Sequence, residues 1–236
     1  MINKQVHGLV PALDGLQDGA VVMISGFGPP GQPEKLIEGL LDKGVKDLTV
    51  INNNAGAGGD AIGRLFAEHR VRKVICSFPK APGSTVFDDL YLAGEIDLEL
   101  VPQGTLAERI RAAGAGIPAF YTRTGFGTEL AADKPVQTFE GKEYVLEEAL
   151  HADFALVRAH RADRWGNLTY RKTARNFGPI MLAAARISVV EVDEILPLGN
   201  LDPESVATPS IYVDRILHLD PATTTTPTLK AIGELK

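Results

Sequence analysis

Ala20-Val21-Val22-Met23-Ile24-Ser25-Gly26-Phe27-Gly28-Pro29-Pro30-Gly31-Gln32-Pro33-Glu34-Lys35-Leu36-Ile37 is the stretch on which the fold turns. Its first five residues are an apolar run of strand length. Pro33, followed by Glu34, Leu36, Ile37, Leu40 and Leu41, has helical spacing with a proline in the first turn. The glycines between mark a tight strand-to-helix turn, because glycine alone accepts positive φ at little cost. Such a turn can aim backbone N–H groups at an anion, so it reads as a phosphate cradle. The purely structural alternative is a turn that binds nothing.

Gly26, Gly28 and Gly31 also match G-x-G-x-x-G. A dinucleotide site would then need an acidic residue about 20 positions on, at the end of the next strand. That strand, Leu48 to Ile51, runs instead into Asn52-Asn53-Asn54-Ala55-Gly56, so amides stand where the ribose-binding carboxylate belongs. Further out, strands near 20–25, 48–53, 73–77 and 97–101 alternate with helices near 33–43, 60–69, 85–93 and 104–114. This is an α/β pattern: an open, mostly parallel sheet with helices on both faces and ligands bound outside the carboxyl ends of its strands. After Gly116 the alternation breaks, and Val136 to Glu140 turns at Gly141 into Tyr144 to Leu146 as an inserted β-hairpin region placed to cap a site. It resumes with a strand Asp153 to Ala159, a helix Ala174 to Arg186 and a strand Ile187 to Val192. One domain over 1–219 and a flexible C-terminal tail over 220–236, with Thr223 to Thr226 and two prolines, complete the expectation.

Composition narrows the function classes. The 236 residues, 44% hydrophobic, can bury a substantial core. A net charge of -6 with scattered Lys and Arg gives no positive field for nucleic acid or an anionic membrane. Cys76 is the only cysteine, which excludes an intrachain disulfide and fits a reducing compartment. Lys4, His7, Pro11 and Asp14 interrupt the start of the chain, and no apolar run reaches membrane-spanning length, so a soluble cytoplasmic protein is expected. His7, His69, His151, His160 and His218 are dispersed without ligand spacing, so no metal is expected. There is no G-x-S-x-G elbow, and Cys76, inside Val74 to Phe78, reads as a core residue.

Three further loops concentrate amides, hydroxyls and glycine: Asn52 to Gly59, Val101-Pro102-Gln103-Gly104-Thr105, and Trp165 to Tyr170. Such groups stabilise a developing oxyanion from fixed positions. Gln103, beyond a strand end and ahead of a helix, is the best candidate. Each loop has a structural alternative: an asparagine turn closed on its own backbone at Asn52 to Asn54, an N-cap by Thr105 with Glu108 three residues on, and a plain hairpin turn at Trp165 to Asn167. The chain has the means to bind and polarise and no convincing attacking group.

Taken together, the Gly-Phe-Gly-x-x-Gly-x-Pro turn, the Asn-Asn-Asn-Ala-Gly loop, the run from Val101 to Phe120 and Asp163 to Tyr170 resemble the A (alpha) subunit of family I CoA-transferases, from Met1 to about Leu219. The resemblance implies pairing with a similarly folded B subunit, in a heterodimer or heterotetramer, with the nucleophilic glutamate on B in a Ser-Glu-Asn-Gly motif that this chain lacks. It implies ping-pong transfer of CoA, itself a substrate, from succinyl-CoA to a 3-oxo acid, with 3-oxoadipate the favoured acceptor and acetate or acetoacetate the runner-up. Ser25, Gly26, Phe27, Gly28, Pro29, Pro30 and Gly31 become the CoA segment, Gln103 the oxyanion group, and Phe27 and Asn53 lining of the substrate pocket. Ser25, where the family often has a further glycine, and Pro29-Pro30 depart from its pattern. Arg123, Arg164 and Arg171 are candidates for the second carboxylate of a diacid. The alternative from another class is a non-catalytic sugar-phosphate sensor.

Overall fold

The structure, a computed structural model, describes residues 2–56, 59–80 and 83–219. The expected tail, 220–236, lies outside the described residues. In chain order the elements are β1 (Gln5–Val6), α1 (Leu9–Ala12), β2 (Val21–Ile24), α2 (Glu34–Lys43), β3 (Leu48–Ile51), α3 (Ala61–Ala67), β4 (Val71–Cys76), α4 (Val86–Leu92), β5 (Asp97–Leu100) and α5 (Gln103–Gly114). There follow β6 (Ala119–Thr122), β7 (Val136–Phe139), β8 (Lys142–Glu148), β9 (Ala152–Asp163), β10 (Leu168–Thr169), α6 (Gly178–Ala184), β11 (Ala185–Leu196) and β12 (Arg215–His218), with short 3-10 turns that include Lys172–Arg175.

Eight strands lie in the order β1-β12-β11-β9-β2-β3-β4-β5, all their pairings parallel, and β10 adds to β9 antiparallel. From β2 the chain runs outward through β3, β4 and β5, then returns to place β9 on the other side of β2. The strand order therefore reverses between β2 and β9, the point at which open α/β sheets leave a crevice beyond their carboxyl ends. β6, β8 and β7 form a separate antiparallel sheet, with the hairpin turning at Glu140 and Gly141.

The period-two alternation of strand side chains divides the core between two faces. Val22, Ile24, Val50, Val74, Cys76, Phe154 and Leu156 pack with α1, α2, α3 and α4 on one side. Met23, Ile51, Ile75, Ala155 and Val157 pack with α5 and α6 on the other. α2 buries Leu36, Ile37, Leu40 and Leu41 and ends at Gly44, whose φ of 75° lets its N–H reach the carbonyls of Leu40 and Leu41. Among the described residues no helix is long and apolar enough to cross a membrane.

Cys76 is fully buried among apolar side chains, and burial pushes its thiol up to about 12. A water-soluble thiol reagent at pH 8 should therefore leave the native chain unlabelled and modify one equivalent in denaturant. Rapid native labelling would remove Cys76 from the core.

Two expectations need correction. The helix expected over Ala174 to Arg186 is only α6: a 3-10 turn occupies Lys172–Arg175, and Asn176, at φ 15° and ψ -117°, breaks the path before Gly178-Pro179 restarts it. Ala185 and Arg186 already belong to β11. The strands of twelve residues at β9 and β11 are longer than their apolar runs, because cross-strand pairs extend them: Arg158 with Glu191 and Asp193, and Arg161 with Glu194.

Candidate active site

At the carboxyl ends of β3, β4 and β5, three residues distant in sequence meet. Asn53 is buried, and its Oδ1 accepts from Ser77 Oγ at 2.8 Å and from Gln103 Nε2 at 3.0 Å. Two donors on that oxygen set the sense of the amide, leaving Nδ2 as the group it can offer a ligand. The backbone carbonyl of Asn53 is held by the N–H groups of Ser77 and Phe78. Asn52 Nδ2 donates to the Ile24 carbonyl at 2.6 Å, tying this loop to the end of β2.

The structure divides the three asparagines between the two readings. Asn52 Oδ1 accepts from Asn54 N and Asn54 Oδ1 from Gly56 N, which are turn-closing bonds. Asn52 Nδ2 also reaches back to β2, and Asn53 alone of the three turns to the ends of β4 and β5. Gln103 is the first residue of α5, after Pro102, and no side chain caps that helix start. Thr105 is not the N-cap; it lies inside the first turn, with a buried Oγ1 that has no hydrogen-bond partner. Gln103 is exposed, so its amide sits at the positive end of a helix of twelve residues, facing solvent.

The glycine turn is built differently from an open cradle. Ser25 is fully buried, with Oγ donating to the Gly31 carbonyl at 2.6 Å and accepting from Arg158 N at 3.1 Å. Gly26 N donates to Asn176 Oδ1, Phe27 N to the Pro30 carbonyl and Gln32 N to the Pro29 carbonyl. Those three N–H groups are engaged within the protein, and Pro29 and Pro30 have none to give. The start of α2 is occupied as well: Glu191, a fully buried carboxylate on β11, accepts from Leu36 N at 2.9 Å and pairs with Arg158 at 2.8 Å. What the turn offers a ligand is its shape, its remaining polar groups and the half-exposed ring of Phe27.

Burial pushes the Glu191 carboxyl up to about 7, against the pull of the Arg158 guanidinium and the Leu36 amide. The native group then keeps its proton at pH values where the unfolded chain has lost it. Stability from this group falls as pH rises from its ordinary 4.5 to about 7, by roughly 3 kcal/mol. Glu191→Gln should lack that fall, so its unfolding free energy relative to the parent should rise across this window in denaturant titrations. A difference independent of pH would refute the assignment.

Across the switch point, a cleft of about 430 Å³ is lined by Pro29 to Gln32 of the turn, by Arg158, Ala159 and His160 on β9, and by Tyr170 to Ala174. Arg171 lines it, whereas Arg123 lies beyond β6 and Arg164 in the β9–β10 turn. That last turn closes on itself, Asp163 Oδ1 accepting from the N–H groups of Trp165, Gly166 and Asn167. Sequence reasoning missed Ser77, Asn176 and Glu191. A lone acid inside Val189-Val190-Glu191-Val192 was a signal for the last; Ser77 carried none.

A family model described as Coenzyme A transferase matches residues 10–219. The chain belongs to the coenzyme A transferase family. It is 54% identical to the A subunit of the 3-oxoadipate CoA-transferase of Pseudomonas putida, over 94% of this chain and 96% of that one. It is also 54% identical to the A subunit of the succinyl-CoA:3-ketoacid coenzyme A transferase of Xanthomonas campestris strain B100, over 85% of this chain and 82% of that one. Among solved structures, an acyl-CoA transferase apoenzyme from Escherichia coli O157:H7 superposes with a TM-score of 0.80 at 23% identity, over 96% of this chain and 49% of that longer one. Glutaconate coenzyme A-transferase from Acidaminococcus fermentans gives 0.81 at 19%, over 95% and 78%. These two establish the fold. This CoA-transferase chain is an enzyme polypeptide, which sets aside the sensor reading.

Proposed function

We propose that the chain is the A subunit of a heteromeric CoA-transferase that moves CoA from succinyl-CoA to 3-oxoadipate. The observation that carries this is the 54% identity, nearly end to end, with the A chain of an enzyme named 3-oxoadipate CoA-transferase. The equal identity with a chain of a succinyl-CoA:3-ketoacid transferase supports a 3-oxo acid acceptor generally and keeps acetoacetate as the second candidate.

The chemistry fits the residues in hand. Gln103, Asn53 and Ser77 bring amides and a hydroxyl but no carboxylate nucleophile, which agrees with what the family resemblance implies, that the B subunit supplies the attacking glutamate. Its carboxylate adds to the succinyl thioester carbonyl and CoA leaves as the thiolate, giving an acyl anhydride. The thiolate then attacks the glutamyl carbonyl, releasing succinate and leaving CoA on the enzyme as a thioester. The 3-oxo acid reverses these two steps and departs as its CoA thioester. Every step passes through a tetrahedral oxyanion, the charge that Gln103 at the α5 N-terminus, with Asn53 Nδ2 beside it, is suited to meet. Phe27 to Gly31 line the path of CoA, with Phe27 against the substrate, while the buried Ser25 and Gly26 hold the turn in shape from beneath.

The deciding experiment is the native mass of the protein purified from its own cells, with any companion identified. A stoichiometric partner of similar size bearing Ser-Glu-Asn-Gly, and succinyl-CoA:3-oxoadipate transfer by the complex, are expected. A lone homo-oligomer would overturn the two-subunit reading.

A further inference from the structure

Beside Phe27 a second cleft, of about 590 Å³, is lined by Phe27, Pro30, Lys172, Thr173, Arg175 and Asn176. Its walls combine an aromatic ring, a proline, two cations and two uncharged polar groups, with no acid. Elsewhere in this acidic chain cations are commonly matched: Lys73 and Arg109 with Glu99, Arg158 with Glu191, Arg161 with Glu194. Lys172 and Arg175, both exposed, have no ion pair and no side-chain hydrogen bond among the described residues. The neighbouring cleft has two carboxylates in its wall: Asp193, already engaged by Arg158 and His160, and Glu34, at the start of α2, which is not ion-paired with Lys172 or Arg175.

The cations are also held in place. The turn Lys172–Arg175 is anchored to the glycine turn by Asn176, whose Oδ1 accepts from Gly26 N at 3.2 Å and whose Nδ2 donates to the Pro30 carbonyl at 2.9 Å. Lys172 itself adopts φ 51°, a left-handed backbone that a lysine takes only where the surroundings enforce it. The glycine turn thus has the Gln103–Asn53 amides on its β3 side and this basic turn on its β9 side.

We propose that Lys172 and Arg175 hold an oxyanion of the substrate remote from the reacting carbonyl, while the body of that substrate lies against Phe27 and Pro30. This deepens the transferase reading and rests on it. Two oxyanions of that reaction qualify: a phosphate of the CoA nucleotide, and the distal carboxylate shared by succinyl and 3-oxoadipyl groups. Both are bound by the same Lys and Arg chemistry.

The test uses the assembled two-subunit enzyme with Lys172→Ala/Arg175→Ala, and Lys172→Arg/Arg175→Lys as the charge-keeping control. Succinyl-CoA is compared with succinyl-pantetheine, which lacks the nucleotide, and a 3-oxo dicarboxylate with a 3-oxo monocarboxylate. A rise in KM of tenfold or more, restored by the control pair, is expected. If it is confined to succinyl-CoA, the oxyanion is a nucleotide phosphate. If it follows the dicarboxylate acceptor and both succinyl thioesters while sparing the monocarboxylate, the oxyanion is the distal carboxylate. Every KM unchanged, or a fall in kcat alone, overturns the proposal. A parent complex without transfer activity would instead overturn the function on which it rests.

Discussion

Replacing Gln103 with alanine should lower kcat of the assembled enzyme by about 10²–10³-fold, the usual consequence of removing one oxyanion donor. The fold should barely notice. Gln103 is exposed at the first position of α5, and its side chain makes one hydrogen bond, to Asn53 Oδ1. Losing a partly solvated bond of that kind costs about 1 kcal/mol or less. Alanine is also a good helix former at that site. The variant therefore separates chemistry from architecture: its melting curve should overlay that of the parent, and its KM values should change little. Steady-state kinetics with succinyl-CoA and a 3-oxo acid decide it. An unchanged kcat would remove Gln103 from the reaction, and a change in KM alone would make it a binding group.

Much of this arrangement is legible in the chain, and the residues that escape do so for physical reasons. β2, β3 and β4 follow from short apolar runs buried on both faces of the sheet, and the helices between them from apolar stripes packed against one face, whereas β5, with no buried residue, follows only from the alternation of elements. β1 and β12 are two and four residues long and gain their meaning only by pairing with each other and with β11, so nothing local marks them. Gln103 is readable as a polar residue beyond a strand end. Its bond to Asn53 is not, because fifty residues separate the two and only the order of the parallel strands brings them together. The glycine turn shows the opposite limit. Its composition suggests N–H groups presented to an anion, yet Asn176, 150 positions away, takes one of them, and the carboxylate of Glu191 holds the start of α2. Local sequence reports what a loop can donate, and tertiary contacts decide what it has left.

Two glycines of that turn should respond very differently to the same substitution. Both have positive φ, 62° at Gly28 and 85° at Gly31, so alanine at either carries a left-handed backbone cost of about 1–2 kcal/mol. At Gly28 nothing lies within 4 Å of the added Cβ, and the cost should end there. At Gly31 the Cβ would stand 2.7 Å from the Ala174 carbonyl oxygen and 2.7 Å from Asn176 Nδ2. The first of these is backbone, and the second is the amide that bonds Pro30. Relief requires the glycine turn and the Lys172–Arg175 turn to separate, which breaks the Asn176 bridge and widens both clefts. Gly31→Ala should therefore lose about 3 kcal/mol or more of stability. It should also raise KM for the CoA substrate, and by more than Gly28→Ala does. Denaturant titration of both variants, read with their KM values, is the measurement. Equal losses at the two positions would mean that backbone strain alone governs the turn, and that the close approach at Gly31 does not hold the two clefts in register.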